Sequence, residues 1–294
     1  MAISRNLYST QFLTIKLSET GGDIISGLPV QTASIERTVP TEDVLVLGKL
    51  GSMGRQQKEV ETVKMDVKLF WASGERDNTT TTTIKDTLGT RLTAGNLSTL
   101  TGNALRGMRS IVSLNPNGFT GYGILTKFGI DAGAGDFLTA SLTFEGFGTP
   151  VISSAVNNSA TESTYAPASV FVYTSENVSL AGATDETIKS AKFSIDIPSE
   201  RLSKLGAPVT GLQDSEALTG AHMLVAKPPF KVNVSYDGSL VTGAHALDAI
   251  TFGHLKITPI SANITSQSYN QNAGDVGASM SFSSEGTSCT FAAN

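Results

Sequence analysis

The chain has 294 residues, 39% of them hydrophobic and 16% charged, which is enough apolar material for packed cores and excludes a compositionally disordered protein. Its net charge of −5 is uneven: residues 1–150 hold 14 Lys and Arg against 14 Asp and Glu, and residues 151–294 hold 7 against 12, so no basic stripe exists for tight nucleic-acid binding. A single cysteine, Cys289, excludes an intrachain disulfide, and neither a secretory leader nor a membrane-length apolar run is expected.

The first patterned segment sets Leu13, Ile15 and Leu17 against Thr14 and Lys16, which predicts a strand with one apolar face. Ser34 to Pro40 reads as a strand running into a loop. Gly48 to Lys58 follows, with Gly48, Gly51 and Gly54, and is predicted to be a long loop or hairpin. Val63, Met65, Val67 and Leu69 then alternate with Lys64, Asp66 and Lys68. The five threonines Thr79 to Thr83 form a loop or a β edge. Short helices are predicted over Thr83–Thr93 and Asn96–Leu105. The Gly-rich stretch Asp131–Asp136 reads as a hairpin turn, and after it Ala140, Leu142 and Phe144 alternate with Thr139, Ser141, Thr143 and Glu145.

Ser153 to Pro167 is small, polar and unpatterned, as a linker is. It divides the chain into a first domain, 1–152, and a second, 168–294. In the second, Thr184–Ser190 and His245–Ile250 are the weaker helix predictions. Gly206 to Pro229 is a second turn-rich segment, containing Gly206, Gly211 and Gly220. Phe230, Val232, Val234 and Tyr236 alternate with Lys231, Asn233 and Ser235. Ala278, Met280 and Phe282 alternate with Ser279, Ser281 and Ser283.

Two motifs occur once in each half. Val39-Pro-Thr-Glu-Asp-Val-Leu-Val-Leu47-Gly48 matches Ile197-Pro-Ser-Glu-Arg-Leu-Ser-Lys-Leu205-Gly206, with Pro, Glu, Leu and Gly in register. Ala134-Gly-Asp-Phe-Leu-Thr-Ala-Ser-Leu-Thr-Phe-Glu145-Gly146 resembles Ala273-Gly-Asp-Val-Gly-Ala-Ser-Met-Ser-Phe-Ser-Ser-Glu285-Gly286. Two motifs in the same order argue for a tandem duplication of one fold, a device that favours assembly over chemistry. The glycine, serine and threonine content and the lack of long amphipathic periods give an all-β fold with minor α.

Chemistry is sparse. His222, His245 and His254 have no Cys or acidic partner at ligand spacing, so no metal is expected. Cys289 lacks a Cys–His signal. Asp131–Asp136 lacks the alternating oxygens and closing Glu of a calcium loop. No phosphate loop, dinucleotide fingerprint or nucleophile elbow occurs, so neither cofactor nor enzyme activity is expected.

The segment Gly135 to Gly146 resembles the closing strand of tail tube proteins of long-tailed bacteriophages, an alternating run of the type Ala-Ser-Leu-Ser-Phe-Glu-Gly. Gly274 to Gly286 is similar, as a weaker second copy. Ser34–Pro40 and Lys192–Pro198 fit the early strand and following loop of that family. The resemblance covers about a third of the chain. It implies two tandem tail-tube-like β-sandwich or split-barrel domains, each with a small helix. It implies rings of this chain stacked through extended loops into a tube, either trimeric pseudo-hexameric rings or hexameric ones. It implies the tape-measure protein and other tail and baseplate proteins as partners, DNA passing the lumen without specific binding, and no membrane. Such a protein is made in the host cytoplasm and resides in the virion tail. Gly48, Gly51, Gly54, Gly206, Gly211 and Gly220 mark the expected subunit-interface loops. The duplication departs from the usual single tube domain and keeps open a baseplate hub or tail completion protein. A two-domain β-sandwich adhesin or carbohydrate-binding module is the reading from another class.

These readings imply that the two halves superpose with Pro40 on Pro198 and Phe144 on Phe282. Leu142, Phe144, Met280 and Phe282 should be buried. The lumen should carry Ser, Thr, Asp and Glu, with Lys64, Lys68 and Lys231 ion-paired or turned away.

Overall fold

The computed structural model describes residues 12–16, 24–45, 47–48, 50–57, 61–71, 110–115, 118–133, 136–147, 150–152, 178–180, 188–197, 199–203, 222–226, 231–239, 249–253, 255–260, 263–270, 279–286 and 288–293. In the first half these form β1 (Phe12–Lys16), β2 (Ile24–Thr38), β3 (Thr41–Leu45), β4 (Ser52–Gln57), β5 (Thr62–Phe70), β6 (Ser110–Asn115), β7 (Phe119–Gly133), β8 (Thr139–Phe147) and β9 (Val151–Ile152). The second half contributes β10 (Val178–Leu180), β11 (Ile188–Asp196), β12 (Ser199–Ser203), β13 (His222–Ala226) and β14 (Lys231–Ser239). It continues with β15 (Ile250–Phe252), β16 (Leu255–Ile260), β17 (Asn263–Asn270), β18 (Ser279–Gly286) and β19 (Ser288–Ala293).

The fold is all-β. Among the described residues there is no helix, which corrects the expected minor α where it can be read. Ile188–Ser190, predicted as the end of a helix, opens β11, and Ile250, the end of another, opens β15. Ladder pairing with Gly238 and Asp237 of β14, and with Ile257 of β16, overrides weak local helix propensity at these positions. The helix predictions over residues 83–93 and 96–105 lie outside the described residues, as does the linker 153–167.

One eleven-stranded antiparallel sheet runs β17-β18-β14-β11-β7-β6-β1-β2-β5-β8, with β9 beside β7. It curls like a half-barrel, because β8 pairs with β5 and returns to pair with β7. The apolar residues of the alternating strands fill the inside. Val63, Met65, Val67 and Leu69 of β5 are each at most 2% exposed, and Leu142 and Phe144 of β8 are buried as alternation requires. The side chains of Met280 and Phe282 lie outside the described residues. β10, β15, β16 and β19 form a second sheet whose Ile250, Phe252, Leu255 and Ile257 join the same core. Trp71 ties the two sheets together: its buried indole N–H donates to the Phe252 carbonyl at 3.1 Å.

The order of pairings occurs twice. β2, β5, β8 and β7 are successive neighbours, and so are β11, β14, β18 and β17. Arg37, Val63 and Gly146 form one cross-strand row; Ile195, Val232 and Gly286 form another. Arg37 and Ile195 each stand three residues before the prolines of the first sequence motif, and Gly146 and Gly286 close the second motif. Gly146 sits where a Cβ would run into the Tyr122 carbonyl of β7, so no larger residue fits there. The β7 hairpin turn at Asp131–Asp136 is present, closed by the Asp136 amide donating to the Gly133 carbonyl at 3.0 Å.

Candidate subunit-contact hairpin and polar sheet face

After β2, Pro40 turns the chain out of the main sheet. β3 and β4 then pair only with each other among the described residues, Thr41 opposite Gln57 and Asp43 opposite Arg55, with a register shift between Asp43 and Leu45. At the base of this arm the Arg37 guanidinium grips Glu61, its Nε 2.7 Å from Oε2 and a terminal nitrogen on Oε1. That hydrogen bond holds the Arg37 pKa above its ordinary value. Higher up, Arg55 Nε meets Asp43 Oδ1 at 2.9 Å, an exposed pair that contributes under about 1 kcal/mol.

The tip is apolar. Leu45 is 76% exposed, Met53 57%, and Leu47 and Leu50 are as exposed as in an extended chain. A two-stranded ribbon has no core of its own, and burying one such side chain is worth about 1.5–3 kcal/mol. The arm therefore gains from a partner surface. Gly48 (φ 90°) and Gly51 (φ 101°) make the tight turns between its strands, and Gly54 (φ 152°) stands in β4. These are three of the six expected interface glycines. Gly206, Gly211 and Gly220 lie outside the described residues. They fall between β12 and β13, which also pair only with each other among the described residues and also follow a motif proline.

The outer face of the main sheet is the second feature. Glu36, Lys64 and Glu145 form one row across β2, β5 and β8, and Lys127 and Asp196 lie opposite each other on β7 and β11. Three of its lysines are matched. Lys64 Nζ is 2.9 Å from Asp66, Lys127 is 3.5 Å from Asp196, and Lys192 is 3.2 Å from Asp131. Partial burial opposes the charge on Asp66. Hydrogen bonds from Lys64 and from Thr143 Oγ1 (2.7 Å), with the charges of Lys64 and Lys127, outweigh it and hold the carboxyl below its ordinary value. The hydrogen bond to Asp66, and its charge, raise Lys64 in turn. Lys68 borders a shallow cleft of about 470 Å³ with Asp131, Asp136 and Lys192. The Lys231 side chain lies outside the described residues.

Among the described residues, no group of three His, Cys, Asp or Glu side chains could hold a metal ion. Sequence reasoning located the arm by its glycines and motif proline but missed its exposed leucines, whose signal was an apolar run, Val44 to Leu47, inside a turn-rich segment. No protein-family model matches the chain, and a search of curated proteins finds no relative.

Proposed function

We propose that the chain is a structural subunit of a phage-type tail tube, two tandem copies of one β-domain that assemble into stacked rings. The β3–β4 arm carries the assembly reading: an apolar tip, extended from the main sheet and not buried by its own chain. Its place after a motif proline, repeated by β12 and β13, fits the extended stacking loops that the family resemblance implies. The duplicated order of pairings and the two matched rows support the tandem reading. A sheet face rich in Ser, Thr and carboxylates, with Lys64, Lys127 and Lys192 paired, suits a lumen that DNA must traverse without sticking. The tape-measure protein and the other tail and baseplate proteins are the partners of such a tube, and the virion tail is its site.

Trp71, the chain's one tryptophan, is 3% exposed, so it is no binding platform for a carbohydrate. Negative-stain microscopy of the purified protein tests the reading. Rings or tubes with a lumen are expected. Single rings that never stack would favour a baseplate hub, and dispersed monomers at every concentration would overturn the assembly reading.

A further inference from the structure

The ladder between β2 and β5 ends at Thr38 opposite Thr62, and the ladder of the arm begins at Thr41 opposite Gln57. Residues 39–40 separate the two ladders on the outgoing strand and residues 58–61 on the returning one, so the arm does not continue the sheet in register. Pro40, on the outgoing side, has no amide to donate across the break. Among the described residues no ladder pair spans it.

Direction at such a root matters. The residues of β3 alone carry the chain about 13 Å from the break. A rotation of about 20° at the root would move the far end of β3 by about 4.5 Å, close to the spacing of neighbouring strands. The Arg37–Glu61 clasp crosses the break. Both oxygens of the Glu61 carboxylate take a nitrogen of Arg37, Nε at 2.7 Å and a terminal nitrogen beside it. A planar fork on a planar carboxylate fixes an angle as well as a distance. The Glu61 side chain is only 16% exposed, so the acceptor is itself held in place.

We infer that Arg37 is a positioning residue for assembly: its fork on Glu61 fixes the angle at which the arm leaves the sheet, so that the apolar tip meets a partner already aimed. This inference rests on the assembly reading above. The Asp43–Arg55 pair, between opposed residues of β3 and β4, braces the arm without touching its root. Without the clasp the arm sweeps a range of angles, and only the aimed fraction can bind. If about a tenth of the arms are aimed at any moment, the concentration needed for assembly rises about tenfold.

Paired spin labels read the angle directly, on single chains below the concentration at which they assemble. Met53→Cys near the tip and Ser141→Cys on β8, in a Cys289→Ser background, put one label on the arm and one on the main sheet. A narrow distance distribution is expected with the clasp intact. Glu61→Gln keeps the shape and removes the charge; Arg37→Lys keeps the charge and removes the fork. Each should widen the distribution about twofold while retaining a cooperative melting transition. Asp43→Asn, which breaks the pair inside the arm, should leave the width as it was. Without labels, the two root variants should need about tenfold more protein to form tubes, and Asp43→Asn no more than wild type. Unchanged widths in both root variants, or equal widening by Asp43→Asn, would show that the clasp does not set the angle. Wider distributions with unaltered assembly would remove the aiming role and leave the assembly reading standing. A wild type that stays a single chain at every concentration would overturn both.

Discussion

Thr126 and Thr265 hold the same bulge in two different strands. Each is the extra residue where its strand slips against its neighbour, between Leu125 and Lys127 in β7 and between Ile264 and Ser266 in β17. Each donates its Oγ1 to the carbonyl across the bulge: Thr126 to Thr143 at 3.3 Å, and Thr265 to Ser283 at 3.1 Å. Both bonds are long for hydroxyl donors, so each contributes modestly. Thr126 is 5% exposed, while Thr265 is open to water. Thr126→Val is expected to cost about 1 kcal/mol in urea denaturation, and Thr265→Val to fall within about 0.5 kcal/mol of wild type. An equal loss from both would show that burial does not set the strength of the bulge.

Phe144 is fully buried on β8, opposite Met65 of β5 and Leu125 of β7. Phe144→Ala leaves a cavity in a core walled by three paired strands and should cost about 3–5 kcal/mol. A melting temperature within a degree of wild type would contradict the packing.

The Lys64–Asp66 pair has a defined pH window. Asp66 titrates below its ordinary 3.8 in the folded protein, so its contribution is complete above that value and disappears as pH falls through the lower folded value. Lys64 titrates above its ordinary 10.5, so its contribution holds below that value and is lost as pH rises through the folded one. Asp66→Asn should therefore destabilise the protein at neutral pH and converge on wild type once the pH has fallen below the lowered folded value of Asp66. A stability difference that stays constant into acid would mean that packing, not charge, is what Asp66 supplies.

The strands that alternate were legible in the sequence because one face is wet and the other dry. β5 and β8 show this residue by residue, from Val63 to Leu69 and from Ala140 to Glu145. β7 was not legible. Its Gly121, Gly123, Gly129 and Gly133 imitate turns, and both of its faces are covered along much of its length, so no period-two pattern survives. The pairing of β7 with β11 was equally hidden, since a register between residues some sixty positions apart leaves no mark in either segment alone. Glycine spacing and Pro40 signalled the arm, but whether Leu47 and Leu50 would fold back onto a core or stand clear depended on tertiary packing.

The arm separates stability from assembly. Leu47 and Leu50 touch no core, so Leu47→Ser with Leu50→Ser should leave the melting temperature unchanged to within about 0.5 kcal/mol of stability. If the tip buries against a neighbouring ring, the same protein should form short stacks or single rings in place of tubes. Normal tube lengths in the electron microscope would remove the arm from the contact.

The sheet face makes a prediction about DNA. Lys127 and Lys192 are each exposed and each faced by a carboxylate on the neighbouring strand, Asp196 and Asp131. With those partners present, a phosphate gains little by approaching, and the wild-type subunit should not retain duplex DNA even at low salt. Asp131→Asn with Asp196→Asn keeps the shape of both side chains and removes the ion-pair partners of two lysines on one face. That variant should acquire weak binding, read by fluorescence anisotropy, that fades with added salt with a slope of about −0.9 per phosphate engaged. The exposed ion pairs it removes are worth under about 1 kcal/mol each, so the fold should persist. Tight low-salt binding by the wild type would overturn the reading of this face as a non-adhesive lumen. A variant as indifferent to DNA as the wild type would show that carboxylate pairing is not what keeps the face from binding it.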